Sequence, residues 1–141
     1  MLKLAVRSAG RLEWATMTTL PETCTGDLVG KSLVVTVLAT QLREAQIAYK
    51  LRDDVIALIG KSQPPGVVLD LSKVSFIGSV GFLAFLGVRR HLQGGRIVLC
   101  NLSAPIRDMF GACRLIATDA TTVAPFETAN TAADALALLN G

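Results

Sequence analysis

The stretch Val67–Arg90, VVLDLSKVSFIGSVGFLAFLGVRR, limits what this chain can fold into more than any other. Val67, Val68 and Leu69 form an apolar run that meets Asp70. A short polar step follows, then the apolar pair Phe76-Ile77. Gly78-Ser79-Val80-Gly81 breaks the run, and from Phe82 the apolar residues recur with helical spacing. This pattern predicts a buried strand, a tight turn and a helix over about 80–92 that buries Phe82, Leu83, Phe85 and Leu86. Ser79 is the hydroxyl of the turn. At the start of a helix it is predicted to act as the N-cap and accept a backbone N–H of the first turn. The same place offers free N–H groups and partial positive charge, so a phosphate on Ser79 would be accommodated there.

The neighbouring segments alternate in type. Leu12, Trp14 and Thr16 give a rough alternation that predicts a strand near 11–18, and Pro21, Gly26 and Gly30 predict a long loop after it. Ser32–Ala39 is β-branched and apolar, a strand buried on both faces. Over Leu42–Ile59 the period changes: Ile47, Leu51, Val55, Leu58 and Ile59 share one helical face, with Gly60 as the expected stop. Arg96–Cys100 reads as a strand. Ser103 is placed to cap a short helix with Pro105 in its first turn. A weak strand is expected from Ile116 or near 122–126. A last helix follows, capped by Thr128 or Asn130, with Ala133, Leu136, Ala137 and Leu139 on its apolar side. The order is that of an α/β domain with a mixed, mostly parallel sheet. Residues 1–31 are expected to form an N-terminal extension with an edge strand, and 32–141 the domain proper.

Composition narrows the function. At 141 residues, 51% apolar and only 5% aromatic, the chain can bury a large aliphatic core. A net charge of +3, without basic blocks or interleaved aromatics, argues against nucleic-acid binding. The longest uncharged stretch, Val74–Val88, is too short and too glycine-rich to span a bilayer. Charges at Lys3, Arg7, Arg11 and Glu13 interrupt any signal-peptide core, so a cytosolic protein is expected. The high apolar content is compatible with a homodimer.

Catalytic constellations are sparse. Cys24, Cys100 and Cys113 are widely spaced, and His91 is the single histidine, so no metal site or cofactor is expected. Buried, reduced thiols are the simplest reading of the cysteines; a Cys100–Cys113 redox pair is the alternative. His91 falls in a last helical turn, where it suits the helix dipole. Asp70 ends a strand, as α/β site residues often do, but a loop-capping carboxylate is the simpler account. No base is in sequence reach to activate Ser79, and G-x-S-x-G, P-loop and dinucleotide motifs are absent, so an enzyme is not expected.

The segment from Asp70 to Leu83, DLSKVSFIGSVGFL, resembles the signature of STAS domains, a family that includes bacterial anti-sigma factor antagonists. The family pattern is a strand ending D-L-S-x-V, an apolar pair, then Asp-Ser-Ser/Thr-Gly-Leu opening a helix. The resemblance continues through Gly94-Gly95, Ile97–Ser103, Met109-Phe110 and the closing segment from Phe126, and so covers roughly residues 32–139. It implies a single STAS-like α/β domain with helices packed largely on one side of the sheet. It also implies partner switching: the unphosphorylated antagonist binds an anti-sigma factor, often a serine kinase, and frees a sigma factor for transcription. The kinase phosphorylates the serine of the motif, by position Ser79, and a phosphatase reverses this. The implied partner surface is Gly78, Ser79, Val80, Gly81 and Phe82, with Thr40, Gln41 and Leu42 beside them. Two positions depart from the pattern. Gly78 stands where the family has Asp, and Thr40-Gln41-Leu42-Arg43-Glu44 replaces a Gly-x-Leu-Asp type step. The second reading is therefore a non-switching STAS scaffold or adaptor in a signalling or membrane-transport complex.

Overall fold

The computed structural model describes residues 3–8 and 11–16 as backbone, and 22–92, 94–117 and 124–140 in full. Strands β1 (Lys3–Ser8) and β2 (Arg11–Thr16) pair antiparallel as a two-stranded sheet, with Ser8 opposite Arg11. β2 is the strand expected near 11–18, whose last two residues lie outside the described ones; β1 was not legible. β3 (Cys24–Val29) lies where a loop was expected. It pairs antiparallel with β4 (Ser32–Val37) through a turn at Gly30, whose φ of +64° suits glycine. The main sheet thus begins at Cys24 rather than Ser32. Gly26 is a turn residue by type, but pairing with Val35 of β4 holds it extended.

The chain continues through β5 (Gln41–Leu42), α1 (Ala45–Ser62), β6 (Gly66–Asp70), β7 (Phe76–Ile77) and α2 (Ser79–His91). It ends with β8 (Arg96–Cys100), α3 (Ala104–Ala112), β9 (Glu127–Ala129) and α4 (Ala132–Asn140). The main sheet has the order β3-β4-β6-β8-β9, parallel except at β3–β4, and β5 pairs with β7 in a separate parallel ladder.

Several boundaries move for identifiable reasons. α1 runs through Gly60 and stops at Gln63, which takes a left-handed conformation and donates its N–H to the Ile59 carbonyl just before Pro64-Pro65. Ser103 caps α3 as expected, its Oγ accepting the Ile106 N–H at 3.3 Å. Thr128 belongs to β9, so α4 is capped instead by Thr131, whose Oγ1 accepts the Asp134 N–H at 3.1 Å. Its inner stripe is Ala132, Ala135, Leu136 and Leu139; Ala133 and Ala137 are exposed. Ile116 forms a single parallel bridge with Phe126, and the strand follows at 127–129.

The two sheet faces differ in cover. Leu33, Val35 and Val37 of β4, Val67 and Leu69 of β6, and Ile97 and Leu99 of β8 pack with Leu51, Val55 and Ile59 of α1. Phe85 and Val88 of α2 and Ile106 and Phe110 of α3 complete this larger core. Each such buried side chain contributes about 1.5–3 kcal/mol. The other face holds Val68, Val98 and Cys100 under α4, through Ala135. The helices therefore lie largely on one side of a mixed sheet.

Candidate functional site

The site forms where β6 gives way to α2. Asp70 Oδ1 accepts the Ser72 N–H at 2.9 Å, so this carboxylate closes its own loop. The Ser75 N–H and hydroxyl both donate to the Thr40 carbonyl, at 2.8 and 3.1 Å. Gln41 pairs with Phe76 and Leu42 with Ile77, and the Gly78 N–H then donates to the Leu42 carbonyl at 2.9 Å. This short ladder brings the 40–42 segment against the Ser79 turn, across more than thirty residues of sequence.

The ladder also sets where α2 starts. Gly78 is extended at φ −89° and its carbonyl accepts the N–H groups of Gly81 (2.9 Å) and Phe82 (3.3 Å). Gly78 is thus the N-cap and Ser79 the first helical residue, one position earlier than the sequence predicts. The helix start has no side-chain cap. Ser79 is exposed, and among the described residues its hydroxyl is not used as a cap.

The two glycines of the turn play opposite parts. A Cβ on Gly81 would lie 2.6 Å from Ile77 Cγ2 and 3.0 Å from both Cβ and the carbonyl oxygen of Leu42. Only glycine lets α2 seat this closely on β5 and β7. A Cβ on Gly78 would meet nothing nearer than 3.5 Å, in ordinary contact with Arg43 Cα and the Leu42 carbonyl. The missing carboxylate at 78 is therefore a change of charge and hydrogen bonding, without a steric cause.

Of the eight residues implied as partner surface, Thr40, Gln41 and Ser79 are exposed, and Gly78, Val80 and Phe82 are half-buried. Phe82 packs edge-on against Phe110 with ring centroids 5.0 Å apart. Leu42 and Gly81 are buried and lie beneath the surface as its support. Two neighbours were not foreseen. Arg43 is exposed, with its guanidinium 4.8 Å from the Phe76 ring centroid, which keeps it beside the turn. Leu83 was expected in the core but is 54% exposed, because α2 turns Gly81, Ala84, Phe85 and Val88 inward. It stands one turn after Ser79, on the same face. Counting four residues on from the serine would have found it.

The remaining candidates lie elsewhere. His91 is exposed in the last turn of α2, beside Arg89 and Arg90. The three cysteines are unpaired. Burial, and then the charge of Asp70, pushes the Cys100 thiol up to about 12, and burial raises Cys24 as well, so both stay protonated and unreactive. Cys113, expected to be buried, is exposed at the end of α3. Among the described residues no cluster of His, Cys, Asp or Glu could hold a metal ion, and no helix is long and apolar enough to cross a membrane.

The family model of the STAS domain matches residues 44–133, and the chain belongs to the STAS domain family. Its fold is that of solved anti-sigma factor antagonists. One from Mycobacterium paratuberculosis is 22% identical with a TM-score of 0.66, covering 84% of this chain and 94% of that one. The Bacillus antagonist SpoIIAA in its unphosphorylated form is 21% identical with a TM-score of 0.60, covering 84% and 98%. The murine anion transporter Slc26a9 is 20% identical with a TM-score of 0.63, covering 81% of this chain and 18% of the transporter. No curated protein sequence matches the chain.

Proposed function

We propose that this STAS domain is an anti-sigma factor antagonist in a partner-switching pathway. It binds an anti-sigma factor that is itself a serine kinase, releases a sigma factor, and is switched off by phosphorylation of Ser79. A phosphatase resets it. The observation that carries this reading is the exposed Ser79 at the first position of α2, with no capping duty, on a surface shared with Thr40, Gln41 and Leu83. A phosphate there adds about 1.5–2 negative charges. The helix start favours those charges locally, so the fold tolerates them. A partner docked over Ser79 and Leu83 has to desolvate them, which opposes the complex. SpoIIAA is known in both an unphosphorylated and a phosphorylated form, which supports the reading by fold analogy.

Incubation with the cognate anti-sigma kinase and ATP is expected to add one phosphate to the wild type and none to Ser79→Ala. Ser79→Asp should weaken kinase binding by at least about tenfold. Gly78 favours a second reading, a non-switching scaffold, because no carboxylate precedes the serine. Tight kinase binding without phosphate transfer would select the scaffold; no binding to any anti-sigma factor would reject the antagonist.

A further inference from the structure

On the reading of Ser79 as the phosphorylated residue, and resting on it, we propose that Arg43 is the charge through which the switch acts. With Ser79 unmodified, the Arg43 guanidinium is offered to a carboxylate of the docked partner. With Ser79 phosphorylated, the phosphate of its own chain takes it.

Two contacts place Arg43 at the turn. A Cβ on Gly78 would lie 3.5 Å from Arg43 Cα and 3.6 Å from Phe76 Cε2, so the backbone at 43 and the Phe76 ring both flank residue 78. The guanidinium carbon sits 4.8 Å from the centroid of that same ring. The ring therefore braces the charged end of Arg43 beside Gly78. Ser79 is the next residue, one Cα step of about 3.8 Å further on. One backbone contact and one Cα step thus separate Arg43 from Ser79, a span that an arginine and a phosphoserine side chain bridge together. Both residues are exposed, so neither has to leave the core for them to meet.

Arg43 is also uncommitted. Lys50, Arg52 and Arg96 each pair with a carboxylate, whereas among the described residues Arg43 pairs with none, its neighbour Glu44 included. Gly78 leaves it so. A carboxylate at 78, where the family pattern has Asp, would project beside Arg43 and hold it. Gly78 and Arg43, both departures from that pattern, therefore act together: the acid that would occupy the guanidinium is gone, and the guanidinium is left for a group that comes and goes. Phosphate suits it, because the planar fork of arginine matches phosphate oxygens through two parallel N–H···O bonds. A partner that covers Ser79 also covers Arg43, and a desolvated guanidinium requires an acidic side chain opposite it. Phosphorylation then acts twice. It withdraws Arg43 from that acid, and it sets the phosphate against the same acid.

Phosphoserine installed at position 79 by genetic code expansion separates the contact within the chain from any kinase. In a phosphorus NMR titration the second pKa of the phosphate, about 6 in phosphoserine, should be lower in the wild type than in Arg43→Gln by about 0.5 or more, roughly a threefold change in proton affinity. Arg43→Lys should fall between them, since an ammonium lacks the fork. Gly78→Asp should raise the value, because the new carboxylate takes the guanidinium and repels the phosphate. Lys73→Gln, which removes the exposed charge of the β6–β7 loop, should change it less than Arg43→Gln. Equal titrations of the wild type and Arg43→Gln, or an equal response to Lys73→Gln, overturn the contact. On the unmodified chain, Arg43→Glu should weaken binding of the anti-sigma kinase at least about tenfold and Arg43→Lys less; binding of Arg43→Glu as tight as wild type overturns the partner contact. Arg43 is exposed, so the melting midpoint of each Arg43 variant should match the wild type, which excludes misfolding as the cause. A wild type that binds no anti-sigma factor rejects the antagonist reading and the partner contact with it, while the phosphorus titration still decides the contact within the chain.

Discussion

Two serines stand at two helix starts, and the chain treats them differently. Ser103 occupies the N-cap of α3 and its hydroxyl accepts the Ile106 N–H. Ser79 sits one position further in, as the first residue of α2, behind a glycine that supplies backbone but no side chain. The first hydroxyl is part of the fold. The second is left facing outward at a helix start held rigid from beneath by Leu42 and Gly81. The regulatory role proposed for Ser79 needs both properties: access for another protein, and a loop that does not depend on the hydroxyl.

The contrast can be broken in four ways. The largest effect is expected at the support. Gly81→Ala forces its new Cβ into Ile77 and Leu42 and should cost about 1–3 kcal/mol in chemical denaturation; a neutral result would mean that the β5–α2 contact is soft. Ser103→Ala should cost about 1 kcal/mol as a lost cap, whereas Ser79→Ala should stay within about 0.5 kcal/mol. Equal losses at the two serines would show that Ser79 caps α2 after all.

Gly78→Asp tests the other side of the same question. The site has room for the side chain, and a carboxylate at this N-cap should stabilise α2 by about 0.3–1 kcal/mol at low salt. An unchanged midpoint would mean that the helix start is already satisfied.

The smallest effect concerns acid. Burial opposes ionisation of Asp54, but hydrogen bonds from Lys50 and Thr23 outweigh it and hold the carboxyl below its usual range. The bidentate hydrogen bonds from Arg96 do the same for Glu127. Both folded values are depressed, so their contribution is full above the ordinary carboxylate range and is lost as pH falls through the folded values, which lie below that range. Both pairs are well exposed, which keeps the loss small. Urea midpoints from pH 7 to 3 should show this decline, reduced in Asp54→Asn. The difference between Ser103→Ala and Ser79→Ala should not change over that range, since neither hydroxyl titrates in it.

Much of the fold was legible because it rests on local periodicity. The strands at β4, β6 and β8, the amphipathic α1 and the Ser103 cap all follow from side-chain patterns within one element. The misses were positions fixed by a distant partner. β3 looked like a loop because Gly26 and Gly30 are turn residues, yet β4 recruits Cys24–Val29 into the sheet. Leu83 looked like core because it lies in an apolar run, and only the seating of α2 decides which side of that run faces water.

By itself the sequence determined the α/β order, the strand–turn–helix unit of Val67–Arg90 and Ser79 as its hydroxyl, because spacing and glycine placement act over a few residues. Only the tertiary structure decided that Gly78, not Ser79, is the N-cap of α2. The β5–β7 ladder ties the Gly78 N–H to the Leu42 carbonyl and holds this residue extended. That contact spans thirty-odd residues and depends on Gly81 letting the helix approach. It is a close-packing result that no local pattern encodes, and it leaves the Ser79 hydroxyl exposed.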